Sequence, residues 1–251
     1  MIYFRNKRTP KPTTKIKLNG ITLEETTHAK YVGLVLDEYL NFKRHITLLN
    51  AKLKRANNLI AISRHYVPKD LLMQIYYGQF YSHINYGCQL WGQNENTIEK
   101  TITLQKKAIR LLSFAHYQEE SSPLFKNLNL LKLTDIVRQN NIIFTHNSIN
   151  NNTPRIFNDY FNFEESNHQY QTVNSLNSTY SIPAGSLELP TYRTNSGKSS
   201  IKYICASTWN STLKDLSIKY TERYHKDPLW ISKTNVQSLR NILKKHFLEY
   251  Y

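Results

Sequence analysis

The sequence predicts a mainly α-helical protein that opens with a small antiparallel β-hairpin and strand. Three observations predict it. Ile16-Lys17-Leu18 and Ile21-Thr22-Leu23 flank Asn19-Gly20, the pair best suited to the positive φ angles of a two-residue hairpin turn. From Asn41 the apolar spacing changes to a helical period. Helical apolar stripes then recur as far as about Ile149, and again at the C-terminal end.

Taken in order, residues 1–12 combine an apolar patch (Ile2, Tyr3, Phe4) with a basic, proline-punctuated link. The hairpin follows, then a third strand over Tyr31–Leu36, where Gly33 permits close backbone approach. The first helix places Ile46, Leu49, Leu53, Ala56 and Ile60 on one face and Lys43, Arg44, Lys54 and Arg55 on the other. Pro68 suits the first turn of a second helix over roughly residues 69–91. A third helix, about Thr97–Ala115, carries Ile98, Ile102, Leu104, Ala108, Ile109, Leu111 and Leu112, with Lys106, Lys107 and Arg110 on its remaining face. A short helix near Pro123–Leu128, the connector NLNLLKL and a further helix reach Ile149. After Asn150, Asn and Ser become frequent, and 162–181 lack periodicity, as in a linker or weakly ordered insertion. A tail beginning LELPTYRTNSGKSS follows, with a final helix over about Asn235–Tyr250. The boundaries expected from these shifts are 1–40, 41–150, 151–181 and 182–251.

Charge narrows the function. Lys and Arg number 33 against 18 Asp and Glu, a formal net charge of +15. Such an excess favours a polyanionic partner, nucleic acid first and an anionic membrane surface second; the bland alternative is a general basic bias. The two cysteines, Cys88 and Cys205, form no Cys-x-x-Cys pair, which points to a reducing intracellular compartment without a disulfide framework or cysteine zinc site. There is no signal-peptide core and no run long enough to span a bilayer. The expectation is therefore an intracellular protein, cytoplasmic or nuclear, that is neither secreted nor membrane-embedded.

Catalytic patterns are absent. Gly197-Lys198-Ser199 ends like a P-loop, but Tyr192 stands where the motif needs its earlier glycine, so a polar turn is the better reading. The histidines show neither His-Glu-x-x-His nor His-x-x-x-His spacing, and no Gly-x-Ser-x-Gly elbow occurs. His45 either approaches phosphate or packs. Tyr76, Tyr77, Tyr81 and Tyr86 either stack on bases or fill a core. No catalytic or metal-ligating residue is assigned. The backbone-contact candidates are Lys43, Arg44, Lys54, Arg55, Lys106, Lys107 and Arg110.

Several segments, in this order, resemble the reverse transcriptases of non-LTR (LINE-type) retrotransposons. They are MIYFRNKR, IKLNGITLEETTHAKYVGLVLD, NFKRHI, LLMQIYYGQFYSHINYGCQLWG, LQKKAIRLL, SSPLFKNLNLLKLTDI and a tail with Arg193, Thr194, Trp209 and Asn210. Proline usual in the family near Asn85 is missing. The resemblance implies the end of the palm, a primer-grip-like hairpin (Tyr31, Gly33, Asp37), a thumb-like helical bundle from Asn41, and an α/irregular C-terminal extension. It implies RNA and RNA–DNA or DNA duplexes as partners, and RNA-directed DNA synthesis as the parent activity. No aromatic-x-Asp-Asp box is found in this chain, so Mg2+ would belong to the absent palm. The expectation is a truncated fragment, inactive alone, whose fingers and palm lie upstream in the same polyprotein. The alternatives are a stand-alone basic nucleic-acid-binding protein or a transposon relic.

Overall fold

A computed structural model describes residues 1–13, 15–164, 185–224 and 230–251. The chain forms two compact units, Met1–Leu124 and Phe125–Tyr251. The segment 151–181, expected as a linker, is described as far as Glu164 and otherwise lies outside these residues.

The first unit begins with two separate antiparallel strand pairs. Strands β1 (Lys17–Leu18) and β2 (Ile21–Thr22) close around Asn19 and Gly20, at φ 50° and 81°. Positive φ at both turn residues gives the twist that hairpin strands need, as the sequence predicts. The single strand expected over Tyr31–Leu36 is instead the tip of a second hairpin. Strands β3 (His28–Tyr31) and β4 (Leu34–Asp37) turn at Val32 (φ 43°) and Gly33 (φ 80°). Valine is a poor turn former, which is why the apolar run reads as one strand.

Helix α1 (Lys43–Ser63) follows, and its buried face contains the five apolar residues of the expected stripe. It packs on helix α5 (Glu95–Leu112), where Ile98, Ala108, Ile109 and Leu112 are buried but Ile102, Leu104 and Leu111 are only half-buried. Polar bonds stitch the pair together. The Thr101 hydroxyl donates to Asn50 Oδ1 at 2.8 Å, and Asn57 Nδ2 donates to the Leu104 carbonyl at 2.9 Å.

The helix expected over 69–91 is broken. Helix α2 (Lys69–Ile75) widens into a π-helical turn, Tyr76–Tyr81, then tightens again as α3 (Ser82–Asn85). Gly87 (φ 60°) turns the chain into α4 (Cys88–Trp91). A Cβ on Gly87 would lie 3.1 Å from a Leu34 methyl, so glycine is required there for both conformation and space.

The second unit is built round α7 (Leu133–Ile149), reached from α6 (Ser121–Asn127), in which the boundary between units falls. After a short α8 (Asn195–Lys198), helix α9 (Ile201–Tyr224) packs on α7, a long helix within the stretch that the sequence reading takes as a compact tail without assigning it a helix. Then come α10 (Trp230–Lys233) and α11 (Val236–Leu248), the latter also against α7. Its core joins Leu133, Ile136, Cys205, Trp209, Leu239 and Leu243, all buried. The Asn210 amide pairs with both backbone groups of Leu187 at 2.8 Å, and Trp209 Nε1 donates to the Gly185 carbonyl at 3.1 Å.

Candidate nucleic-acid interface

Helix geometry separates the cations that the sequence groups together. Successive residues turn by about 100°, so residues 11 apart return to nearly the same line. Arg44 and Arg55 therefore share one line on α1, and Lys43 and Lys54 another. All four are exposed. On α5, Thr101 and Leu104 face α1, which leaves Lys106, Lys107 and Arg110 round the far side of that helix. Arg110 is further committed, since its Nε donates to the Glu119 carbonyl at 2.7 Å. The seven residues thus lie on different faces, and only Arg55 lines a cavity described below.

That cavity lies between the β3–β4 hairpin, α1 and α3, with a volume of about 410 Å3. A second, of about 230 Å3, continues it along α1 toward the π-helical turn. Lys30 enters from β3, His45, Lys52 and Arg55 from α1, Gln79 from the π-helical turn, Ser82 and His83 from α3, and Tyr86 from the residue that ends α3. No carboxylate lines either part. Three cations with no lining acid make a groove whose field attracts anions. Lys30, Lys52 and His83 escape a sequence reading because they reach the groove from three elements. The one-turn spacing of Lys52 and Arg55 was the available signal.

The hairpin tip forms the groove's rim and is fastened by Tyr86, one of the groove's own lining residues. The Tyr86 hydroxyl donates to the Val32 carbonyl at 2.6 Å, and the Tyr86 ring lies where a Cβ on Gly33 would approach within 3.3 Å. Tyr31 is exposed on this rim. Asp37 faces inward to its own turn. It accepts from the backbone N–H of Tyr39 (3.0 Å), Asn41 (3.2 Å) and Phe42 (2.9 Å), and so starts α1. His45 accepts from the Val35 N–H at 3.4 Å, and its ring lies 5.9 Å from that of Trp91. Burial, then Lys52, holds both His45 and His83 below their ordinary 6.5.

Of the tyrosines, Tyr76 is fully buried, stacked on Phe80 at 5.4 Å, and unavailable to a base. Tyr77 and Tyr86 are exposed. Both cysteines are buried, and burial pushes the Cys205 thiol up to about 12. Among the described residues no group of three or more His, Cys, Asp or Glu is placed to hold a metal ion, and no helix is long and apolar enough to cross a membrane.

Comparison with known proteins adds ancestry to this geometry. The chain is 25% identical over 137 residues, 53% of its length, to the probable RNA-directed DNA polymerase of transposon X-element from Drosophila melanogaster. It is 30% identical over 129 residues to the RNA-directed DNA polymerase of mobile element jockey from Drosophila funebris, and 30% identical over 125 residues to that of jockey from Drosophila melanogaster. The chain is related to non-LTR retrotransposon RNA-directed DNA polymerases. The matches cover about half of the chain but only 15% of the X-element polymerase and 14% of each jockey polymerase. No family model matches the chain, and no solved structure matches it.

Proposed function

We propose that the first unit is a thumb-like grip for the backbone of a template–primer duplex, in a chain derived from a retrotransposon RNA-directed DNA polymerase. The observation that carries the reading is the groove with Lys30, Lys52 and Arg55 and no lining carboxylate. Phosphate contacts of this kind position a duplex without reading its bases. The β3–β4 tip with Tyr31 and Gly33 forms the rim against which a strand end would rest. Chemistry would fall to metal-binding carboxylates outside this chain, and Mg2+ with them. Its partners would be RNA, RNA–DNA hybrid or DNA duplex, met in the cytoplasm or nucleus.

The test is a salt titration of the full chain with a fluorescent RNA–DNA hybrid. If the groove's three cations neutralise three phosphates, log affinity falls against log salt with a slope of about −2 to −3. If six or so of the surface cations on α1 and α5 join them, the slope steepens by about −4 to −5. A salt-independent affinity overturns the reading.

A further inference from the structure

The two parts of the groove meet at three residues. Lys52 and Arg55 sit one turn apart on α1, and His83 belongs to the α3 wall; all three line both cavities. The remaining charged or titratable lining groups are Lys30 from β3, His45 from α1 and Tyr86 just after α3. The protein alone therefore gathers cations here without an anion to balance them. An ion of the opposite sign relieves that repulsion, and the geometry offers it a lysine ammonium, a guanidinium fork and an imidazole.

The two histidines of the groove differ in their commitments. His45 already accepts the Val35 N–H on Nδ1, so a proton there would break that bond. Among the described residues the His83 imidazole has no side-chain hydrogen bond. Burial, and then the nearby Lys52 ammonium, hold its pKa below the ordinary 6.5. A phosphate placed between them would cancel the second influence and accept a hydrogen bond from the imidazolium.

We propose that Lys52, Arg55 and His83 form a seat for one phosphate of the bound strand, and that filling this seat captures a proton on His83. The proposal rests on the nucleic-acid reading of the groove and adds its pH dependence. The proton comes from solvent, and the phosphodiester stays an anion throughout. By linkage, affinity is highest where the bound-state imidazole is protonated and is lost as pH rises through its bound-state pKa.

The experiment has two arms, both on the full chain. In the first, Kd for a fluorescent RNA–DNA hybrid is measured from pH 6.0 to 7.5 at constant ionic strength, for the parent and for His83→Gln. The parent should bind about fivefold tighter at pH 6.0, and His83→Gln should lose that dependence. Hybrid binding with a pH-independent Kd, or a His83→Gln profile like the parent's, overturns the seat while leaving the backbone grip standing. In the second arm, the His83 ring of the unmodified protein is titrated by NMR in sodium sulfate and in sodium chloride of equal ionic strength. Sulfate stays a dianion over this range, so a higher His83 pKa in sulfate supports the seat. If the hybrid fails to bind but sulfate raises the pKa, the seat holds for a different phosphate ligand and the duplex reading falls. No difference between the salts overturns the seat.

Discussion

Asp37 shows how a residue picked out for function turns out to serve the fold that positions function. Its carboxylate collects three backbone N–H groups in the turn where Leu40 and Phe42 adopt positive φ, 51° and 55°. Hydrogen bonds to a charged acceptor are worth about 1.5–3 kcal/mol each when well formed. Asp37→Ala should therefore destabilise the first unit by about 2 kcal/mol or more, and Asp37→Asn, which keeps one acceptor oxygen, by less. Urea unfolding of the full chain checks this; a loss below about 0.5 kcal/mol would show that solvent replaces those bonds. His45 gives a pH dependence of stability. Its folded-state pKa lies below the ordinary 6.5, so the unfolded ring takes a proton first as pH falls. Stability present above pH 6.5 is then lost as pH drops through the folded value. Melting temperatures between pH 7.5 and 5 should fall, and fall less in His45→Gln.

At the scale of elements, the groove depends on a hairpin being bolted to a helix corner. Val32 and Gly33 turn with positive φ because Tyr86 holds the Val32 carbonyl and Gly87 leaves room for Leu34. Local propensity opposes valine at such a φ, so this turn is imposed by contacts distant in sequence. Gly33→Ala should cost about 1–2 kcal/mol from backbone strain alone, and should weaken hybrid binding by displacing the rim. An unchanged thermal midpoint and unchanged Kd would show that the tip tolerates another geometry. The same scale separates the cations. Lys52→Ala or Arg55→Ala should each lower the salt slope by about one unit, whereas Lys107→Ala, on the far side of α5, should change it by less than about half a unit. Equal effects would return the interface to the two-helix surface expected from sequence.

For the whole molecule, composition and compactness divide the chain at different places. Asn and Ser enrichment begins after Asn150, yet the compact units meet at Leu124 and Phe125. Composition registers solvation, while compactness registers which faces bury one another, and α7 buries its faces against α9 and α11. Tyr251 ties that second unit together. Its hydroxyl donates to Asp135 Oδ2 at 2.5 Å and accepts from the Lys132 N–H at 2.7 Å, with Lys132 Nζ 4.0 Å from the ring centre. Tyr251→Phe should destabilise this unit by about 1–3 kcal/mol, seen as faster hydrogen exchange in α7 and α11, with hybrid binding unchanged. Slower binding-site exchange or lost affinity would contradict the assignment of the groove to the first unit.

By itself the sequence determined what is encoded locally. Asn19-Gly20 specifies its turn because both residues tolerate positive φ, and the apolar period of α1 specifies which face is buried. The ordered motifs carried the kinship with retrotransposon polymerases, since ancestry is a property of order and spacing. Tertiary structure alone decided the Val32–Gly33 turn, the π-helical turn at Tyr76–Tyr81 and the long helix Ile201–Tyr224. It alone brought Lys30, Lys52, Arg55 and His83 to one groove. A charge read along one helix has a direction but no neighbours, and the field of a binding groove is the sum over neighbours from separate elements.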